Sequence, residues 1–140
     1  LVRPSKALRF YENPERETCL EDLTEWVGAK PTEYSGSRAC CGFPILTINE
    51  KAALKMVGNH TSTAKDLGAD AMVTPCPLCH LNLDQYQNRA AGMMKREIDI
   101  PIIHVPQLVG LALGLDPKEL KINKHIISTK KLLSEISLRP

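Results

Sequence analysis

The spacing of apolar residues in the first half of the chain predicts two amphipathic helices. One follows Asn13-Pro14, which have the form of an N-cap and a first-turn proline, and ends at Gly28. The other begins near Thr47 and Glu50, which have the spacing of a capping box, and ends at Gly68. The apolar stripes contain Leu20, Leu23, Trp26 and Val27 in the first helix, and Ala53, Met56, Val57, His60, Ala64 and Leu67 in the second.

The second half alternates short apolar runs with helical patterns. The run 69–75 is bounded by glycine and proline and is typical of a buried strand, and a helix is predicted from about Pro77 to Glu97. A second strand is predicted at 100–105, followed by a short helix that closes at Gly114. A last helix is predicted with Ile126, Ile127, Lys130, Leu133 and Ile136 in its pattern.

Helices separated by short apolar strands predict an α/β domain with a mainly parallel sheet flanked by helices. A weak internal repeat supports this prediction. In both halves of the chain a predicted helix ends at Gly-Ala, in the segments 26–30 and 66–73, and a cysteine pair follows, Cys40-Cys41 in the first case and Cys76 with Cys79 in the second. Ligands bind open parallel sheets where strands lead into helices. We therefore expect both cysteine pairs at one edge of the sheet.

Composition narrows the class of protein. The 140 residues suit one domain with a buried core, and no stretch reaches the length of a membrane span. The net charge of only +2 gives no reason to expect a nucleic-acid partner. The opening residues 1–6 contain neither an initiator methionine nor a signal pattern, which predicts a fragment or a processed piece.

The cysteines are the candidate chemistry. Four of the five form two tight pairs, which favours a reduced, intracellular metal or redox site over a disulfide scaffold. A thioredoxin-like pair would use Cys76 and Cys79 alone, and zinc would use all four, although zinc motifs seldom contain adjacent cysteines. Iron-sulfur ligation accommodates irregular cysteine sets. Buried inert thiols are the remaining interpretation.

The chain resembles a known family at these residues. "ACCGF" at 39–43, then 34 residues after Cys41, then "CPLCHLNLD" at 76–84 is similar to the cysteine-rich CCG domain in the B subunit of heterodisulfide reductase. The resemblance covers almost the whole chain and favours the C-terminal of two such domains. It implies a single CCG domain over 1–140 with a Rossmann- or flavodoxin-like fold.

The same resemblance implies a non-cubane [4Fe-4S] cluster held by Cys40, Cys41, Cys76 and Cys79, at which a disulfide substrate is cleaved. It implies as partners a ferredoxin-like iron-sulfur C subunit and a flavin-containing A subunit, and a cytoplasmic location, with a membrane-associated complex as a variant. The family carries a further cysteine upstream, which we expect just before residue 1. A structural zinc domain that supports a partner interface is the alternative.

Other residues beside the cysteines are weighed in the same way. His80 follows the second pair and would hydrogen-bond a cluster sulfur or protonate a leaving thiolate, and His104 at a strand end is expected at the same edge. Gly42 would allow close backbone approach to the cluster. His60 is expected to be an ordinary core histidine, and Cys19 to pack on the first helix rather than to bind metal.

Overall fold

The computed structural model describes residues 18–137. The chain divides into two compact units, 1–31 and 32–140. The α-helices and strands are α1 (Cys19–Trp26), α2 (Glu50–Asp66), β1 (Met72–Thr74), α3 (Pro77–Gln85), α4 (Gln87–Met94), β2 (Ile102–His104), α5 (Val105–Ala112) and α6 (Lys130–Ser137), and short 3₁₀ helices span Phe43–Ile45 and Ile122–Lys124. None of the helices within 18–137 is both long enough and apolar enough to cross a lipid bilayer.

The first unit contributes α1. The helix ends as predicted, because Gly28 has a φ of 82° and the Ala29 amide donates to the Thr24 carbonyl at 3.0 Å. The predicted start at Asn13-Pro14 lies outside the described residues.

Helix α2 lies in the second unit. Its N-cap is Asn49, whose side-chain oxygen accepts from the Ala52 amide at 3.0 Å. The predicted capping box at Thr47 and Glu50 is therefore wrong. The amides of Ile48 and Asn49 still donate to the Ile45 carbonyl, so Thr47 lies in the turn that precedes the helix. The end at Gly68 is confirmed, with a φ of 71°.

Strands β1 and β2 pair in parallel, with Met72 opposite Ile102 and Thr74 opposite His104. Both faces of the pair are covered, because Ile102 packs into a core with α2, α3 and α4, whereas Ile103 packs with Ile122 and Leu132. The α/β class with parallel strands is confirmed for the described residues, which contain this pair of strands.

The predicted helix from Pro77 to Glu97 is two helices. The helix is interrupted at Tyr86, between α3 and α4. Next to this residue, the side-chain amide of Gln87 donates to the carbonyls of Leu83 and Ile100 at 3.2 and 3.0 Å. The Gln87 oxygen accepts the Ile100 amide at 2.8 Å. A buried side chain therefore replaces main-chain bonding at the break, which helical spacing does not reveal.

The C-terminal prediction is correct only in part. Gly114 ends α5 as predicted, with a φ of 80°. Ile126 and Ile127 lie outside a helix, because their amides donate to the Asp84 carboxylate at 2.7 and 3.0 Å. The last helix begins only at Lys130. A long-range bond to α3 thus overrides the local helical pattern.

Candidate metal centre

The second cysteine pair lies where β1 passes into α3. Cys76 is the N-cap residue with extended backbone angles, and Pro77 occupies the first turn, where a missing amide hydrogen costs no helical bond. The backbone N–H groups of Cys79 and Leu78 lower the pKa of the Cys76 thiol against the opposing effect of burial. This end of the helix therefore favours a thiolate.

The first pair lies in a segment without regular structure. Cys41 is 6% exposed, whereas the Cys40 thiol is exposed and accepts a bond from the Gly42 amide at 3.4 Å. Gly42 has a φ of 94°, and a Cβ placed there would lie 3.0 Å from the Ala53 carbonyl oxygen. Only glycine allows the chain to turn against α2 immediately after the cysteines.

Three of the four predicted ligands come together. The pKa of the Cys79 thiol is raised to about 12, first by burial and then by the neighbouring thiols of Cys41 and Cys76. Adjacent thiolates repel one another, so they do not ionise together unless a cation supplies the opposing charge. The arrangement has the donor chemistry of a thiolate-ligated metal group.

The directions of the four thiols bear on the kind of metal group that they could hold. Within residues 18–137, no three or more His, Cys, Asp or Glu side chains are placed to hold one ion. Cys40 is turned toward the Gly42 amide and solvent, while Cys41 is buried. A multi-iron cluster offers separate iron sites and does not require four sulfurs around one point. The cysteines therefore suit an iron-sulfur or other metal cofactor.

Histidines gather beside the second pair. The rings of His80 and His104 stack with centroids 6.0 Å apart, and His80 meets His125 edge-on at 4.7 Å. Burial lowers the pKa of both His80 and His125. The Nδ1 atoms of all three rings are buried without a hydrogen-bond partner in the described part of the chain. Buried polar atoms without a hydrogen-bond partner are rare in folded proteins, and a catalytic role or a bound water or ion is a common explanation.

Sequence reasoning placed His80 and His104 together but missed His125 and Gln107. The Gln107 oxygen accepts the His104 amide at 2.9 Å, and its amide nitrogen lies 3.0 Å from the Leu120 carbonyl and 2.9 Å from His125 Nε2. This histidine lies 45 residues after His80 in the sequence. No local pattern connects the two, because a long-range contact brings them together.

The remaining predicted residues divide into one success and one failure. His60 is a core histidine as expected, 9% exposed and bonded on both ring nitrogens. Cys19 does not pack as expected, since it is exposed at the first residue of α1.

Asn82, which sequence reasoning missed, is fully buried and donates to the Cys41 carbonyl at 2.8 Å. Its position three residues after Cys79 was the available signal.

The chain is similar to named components of redox complexes. The 8-methylmenaquinol:fumarate reductase membrane anchor subunit of Wolinella succinogenes is 39% identical over 131 residues, which cover 94% of this chain and 46% of that protein. The B subunit of the ferredoxin/F(420)H(2)-dependent CoB-CoM heterodisulfide reductase of Methanosarcina acetivorans is 32% identical over 138 residues, with coverage of 97% and 46%. A protein of Archaeoglobus profundus, named as like the B subunit of heterodisulfide reductase, is 31% identical over 131 residues, with coverage of 86% and 44%.

The chain spans about half the length of these relatives. The family described as CCG, the cysteine-rich domain, matches residues 4–84, which include both cysteine pairs. The resemblance inferred from the sequence is thereby confirmed. Since the match extends over more than half of the 140 residues, this chain belongs to the CCG cysteine-rich domain family.

Proposed function

We propose that this chain is the iron-sulfur domain of a B subunit like that of heterodisulfide reductase, which reduces or forms a thiol-derived disulfide at a non-cubane [4Fe-4S] cluster. The observation that carries the proposal is the meeting of the Cys41, Cys76 and Cys79 thiols at the start of α3. Two of the relatives described above are named as this B subunit or as like it, which supports the proposal.

Cys40, Cys41, Cys76 and Cys79 would hold the cluster, with a fifth ligand from another part of the protein. When bound, the cluster supplies single electrons to sulfur. The amides at the start of α3 stabilise negative charge on Cys76, and Gly42 lets the backbone approach closely. Residues 1–140 would form a single CCG domain with a Rossmann- or flavodoxin-like fold.

The substrate step is the reduction of a disulfide. One S–S bond breaks, two electrons and two protons are taken up, and two thiols form; the reverse reaction makes the disulfide. His80 directly follows the second cysteine pair and its ring stacks on that of His104, and an imidazole N–H of either would donate a hydrogen bond to a sulfur of the substrate or cluster. In this proposal the two histidines are catalytic: they hydrogen-bond sulfur, and His80 would protonate a leaving thiolate.

The electrons would come through other subunits. The proposed partners are a ferredoxin-like iron-sulfur C subunit and a flavin-containing A subunit, in a cytoplasmic or membrane-associated complex. Two of the relatives have names that refer to a B subunit, which implies assemblies of several subunits.

Metal and sulfide analysis tests the proposal. Protein purified without oxygen is expected to contain iron and acid-labile sulfide, and Cys76→Ser should abolish both. Cys19→Ser is the matched control, because Cys19 is exposed on α1 and should leave both unchanged. One equivalent of zinc without labile sulfide would overturn the cluster and favour the structural zinc domain.

The relative at 39% identity favours a second candidate, in which the domain serves a quinol-linked fumarate reductase. The two functions separate in one assay of the intact complex with a reduced viologen dye. Oxidation of the dye by a thiol-derived disulfide supports the first function. Oxidation by fumarate alone supports the second.

A further inference from the structure

The backbone of the vicinal cysteine pair is held by two side chains from different helices. His60 Nε2 on α2 lies 3.0 Å from the Cys40 carbonyl oxygen, and Asn82 Nδ2 on α3 donates to the Cys41 carbonyl oxygen at 2.8 Å. Two consecutive carbonyls are thus bonded by side chains, in a segment that lies outside the described strands. We call His60 and Asn82 the carbonyl clamp.

The hydrogen on His60 is fixed by its partners. A carbonyl oxygen only accepts, so Nε2 carries the hydrogen and donates to Cys40. In the tautomer with its hydrogen on Nε2, Nδ1 accepts from the Tyr34 hydroxyl, which lies 3.0 Å away. Burial raises the pKa of Tyr34, which keeps the hydroxyl proton in place as the donor. Tyr34, His60 and Cys40 therefore form one directed chain of hydrogen bonds.

The other side of the clamp ties Cys41 to the helix that carries Cys79. Asn82 is 0% exposed and lies one helical turn after Cys79. Its Oδ1 is buried and has no hydrogen-bond partner among residues 18–137, so the Cys41 carbonyl is what orients the amide. Fixing the Cys41 carbonyl on α3 keeps its thiol beside that of Cys79.

We propose that His60 and Asn82 are positioning residues that hold Cys40 and Cys41 with their thiols in different directions, one exposed and one against Cys79. The inference rests on the proposed function for its purpose, which is to present two neighbouring sulfurs to different irons. The positioning itself concerns the cysteines alone and is measurable without iron.

Thiol alkylation of iron-free, fully reduced protein tests the clamp. Iodoacetamide modification followed by mass spectrometry should show Cys40 reacting at least about tenfold faster than Cys41, because Cys41 reacts only through local opening. Asn82→Leu and His60→Leu should each narrow this ratio about fivefold or more, since each removes a hydrogen bond to a carbonyl of the pair. Equal alkylation rates of Cys40 and Cys41 in the unaltered protein would overturn the proposal that the clamp positions them.

Matched variants separate positioning from general loss of stability. Gln87→Leu also removes a buried amide, but one bonded to Leu83 and Ile100, and should leave the ratio of Cys40 to Cys41 unchanged. His60→Gln, which keeps a donor of similar reach, should restore most of the ratio. A ratio that falls as far in Gln87→Leu, or that His60→Gln does not restore, overturns the proposal.

A milder variant keeps the clamp testable if Asn82→Leu or His60→Leu fails to fold. Tyr34→Phe removes only one hydroxyl and should narrow the ratio by about twofold to fivefold. An unchanged ratio in Tyr34→Phe would then contradict the hydrogen-bond chain. If the ratios behave as expected while purified protein lacks iron and sulfide, the clamp stands and the proposed function fails.

Discussion

Cys76 and Cys79 lie where a strand passes into a helix, whereas Cys40 and Cys41 lie in a segment held by side chains of other elements. The second pair takes its geometry from the Cys76 N-cap and the first turn of α3. The first pair takes it from His60, Asn82 and the turn at Gly42. One half of the candidate site is therefore set locally, and the other half by tertiary contacts.

The two halves should respond differently to mutation. Regular backbone geometry tolerates changes of side chain, because the main-chain bonds remain. Geometry imposed by single side chains or by one glycine fails when that residue changes. We therefore expect larger losses of stability from single changes that remove a tertiary contact than from changes in the first turn of α3.

The largest effect is expected at Asp84, which fastens the end of α3 to the chain beyond α5. Asp84→Ala leaves the amides of Ile126 and Ile127 without their acceptor and should lower the free energy of unfolding by about 3 kcal/mol. Urea denaturation measures the loss. Asp99→Ala is the control, because Asp99 pairs with Lys65 at the surface and should cost about 1 kcal/mol or less. Equal losses would contradict the prediction.

The next effect is expected at Gly42 in the first half of the site. Gly42→Ala combines a φ of 94° with a methyl group 3.0 Å from the Ala53 carbonyl oxygen, and should cost about 2 to 3 kcal/mol. Gly68→Ala is the control, since Gly68 has a φ of 71° but nothing within 4 Å of an added Cβ. It should cost about 1 kcal/mol. Thermal unfolding of the two variants gives the comparison, and a smaller loss at Gly42 than at Gly68 would refute it.

A small effect is expected at Pro77 in the second half. Pro77→Ala keeps the helical backbone at the first turn of α3 and should cost about 0.5 kcal/mol, from the greater freedom of the unfolded chain. Urea denaturation beside Gly42→Ala provides the test. A loss at Pro77 as large as that at Gly42 would show that the second half also depends on single residues.

The smallest effect is the pH dependence contributed by His125. Burial lowers the pKa of His125 and outweighs the Asp84 carboxylate and the Ile102 carbonyl, which raise it. As the pH falls, His125 is protonated at a higher pH in the unfolded chain than in the folded protein. Its contribution to the free energy of unfolding should therefore be fully present above a pH of about 6.5 and decrease as the pH drops toward the folded pKa. Urea midpoints between neutral and mildly acidic pH should decline less in His125→Gln than in the unaltered protein. Parallel declines would rule out this contribution.

The fold was predictable where local signals act alone. Gly28, Gly68 and Gly114 end their helices as expected, because each adopts the positive φ that terminates a helix. The failures share a different cause. The break after α3 and the non-helical segment 126–127 depend on the buried side chains of Gln87 and Asp84, which bond to distant main chain.

The sequence by itself determined the two cysteine pairs, the helix that starts at Pro77 and the resemblance to the CCG family, because residue identity and short spacing encode them. Tertiary structure alone decided that Cys41 is buried beside Cys79 while Cys40 is exposed. It also decided that the ring of His125 contacts that of His80. The physical reason is that these features depend on hydrogen bonds and packing between residues tens of positions apart. Such contacts form only when the whole chain folds, and no local pattern records them.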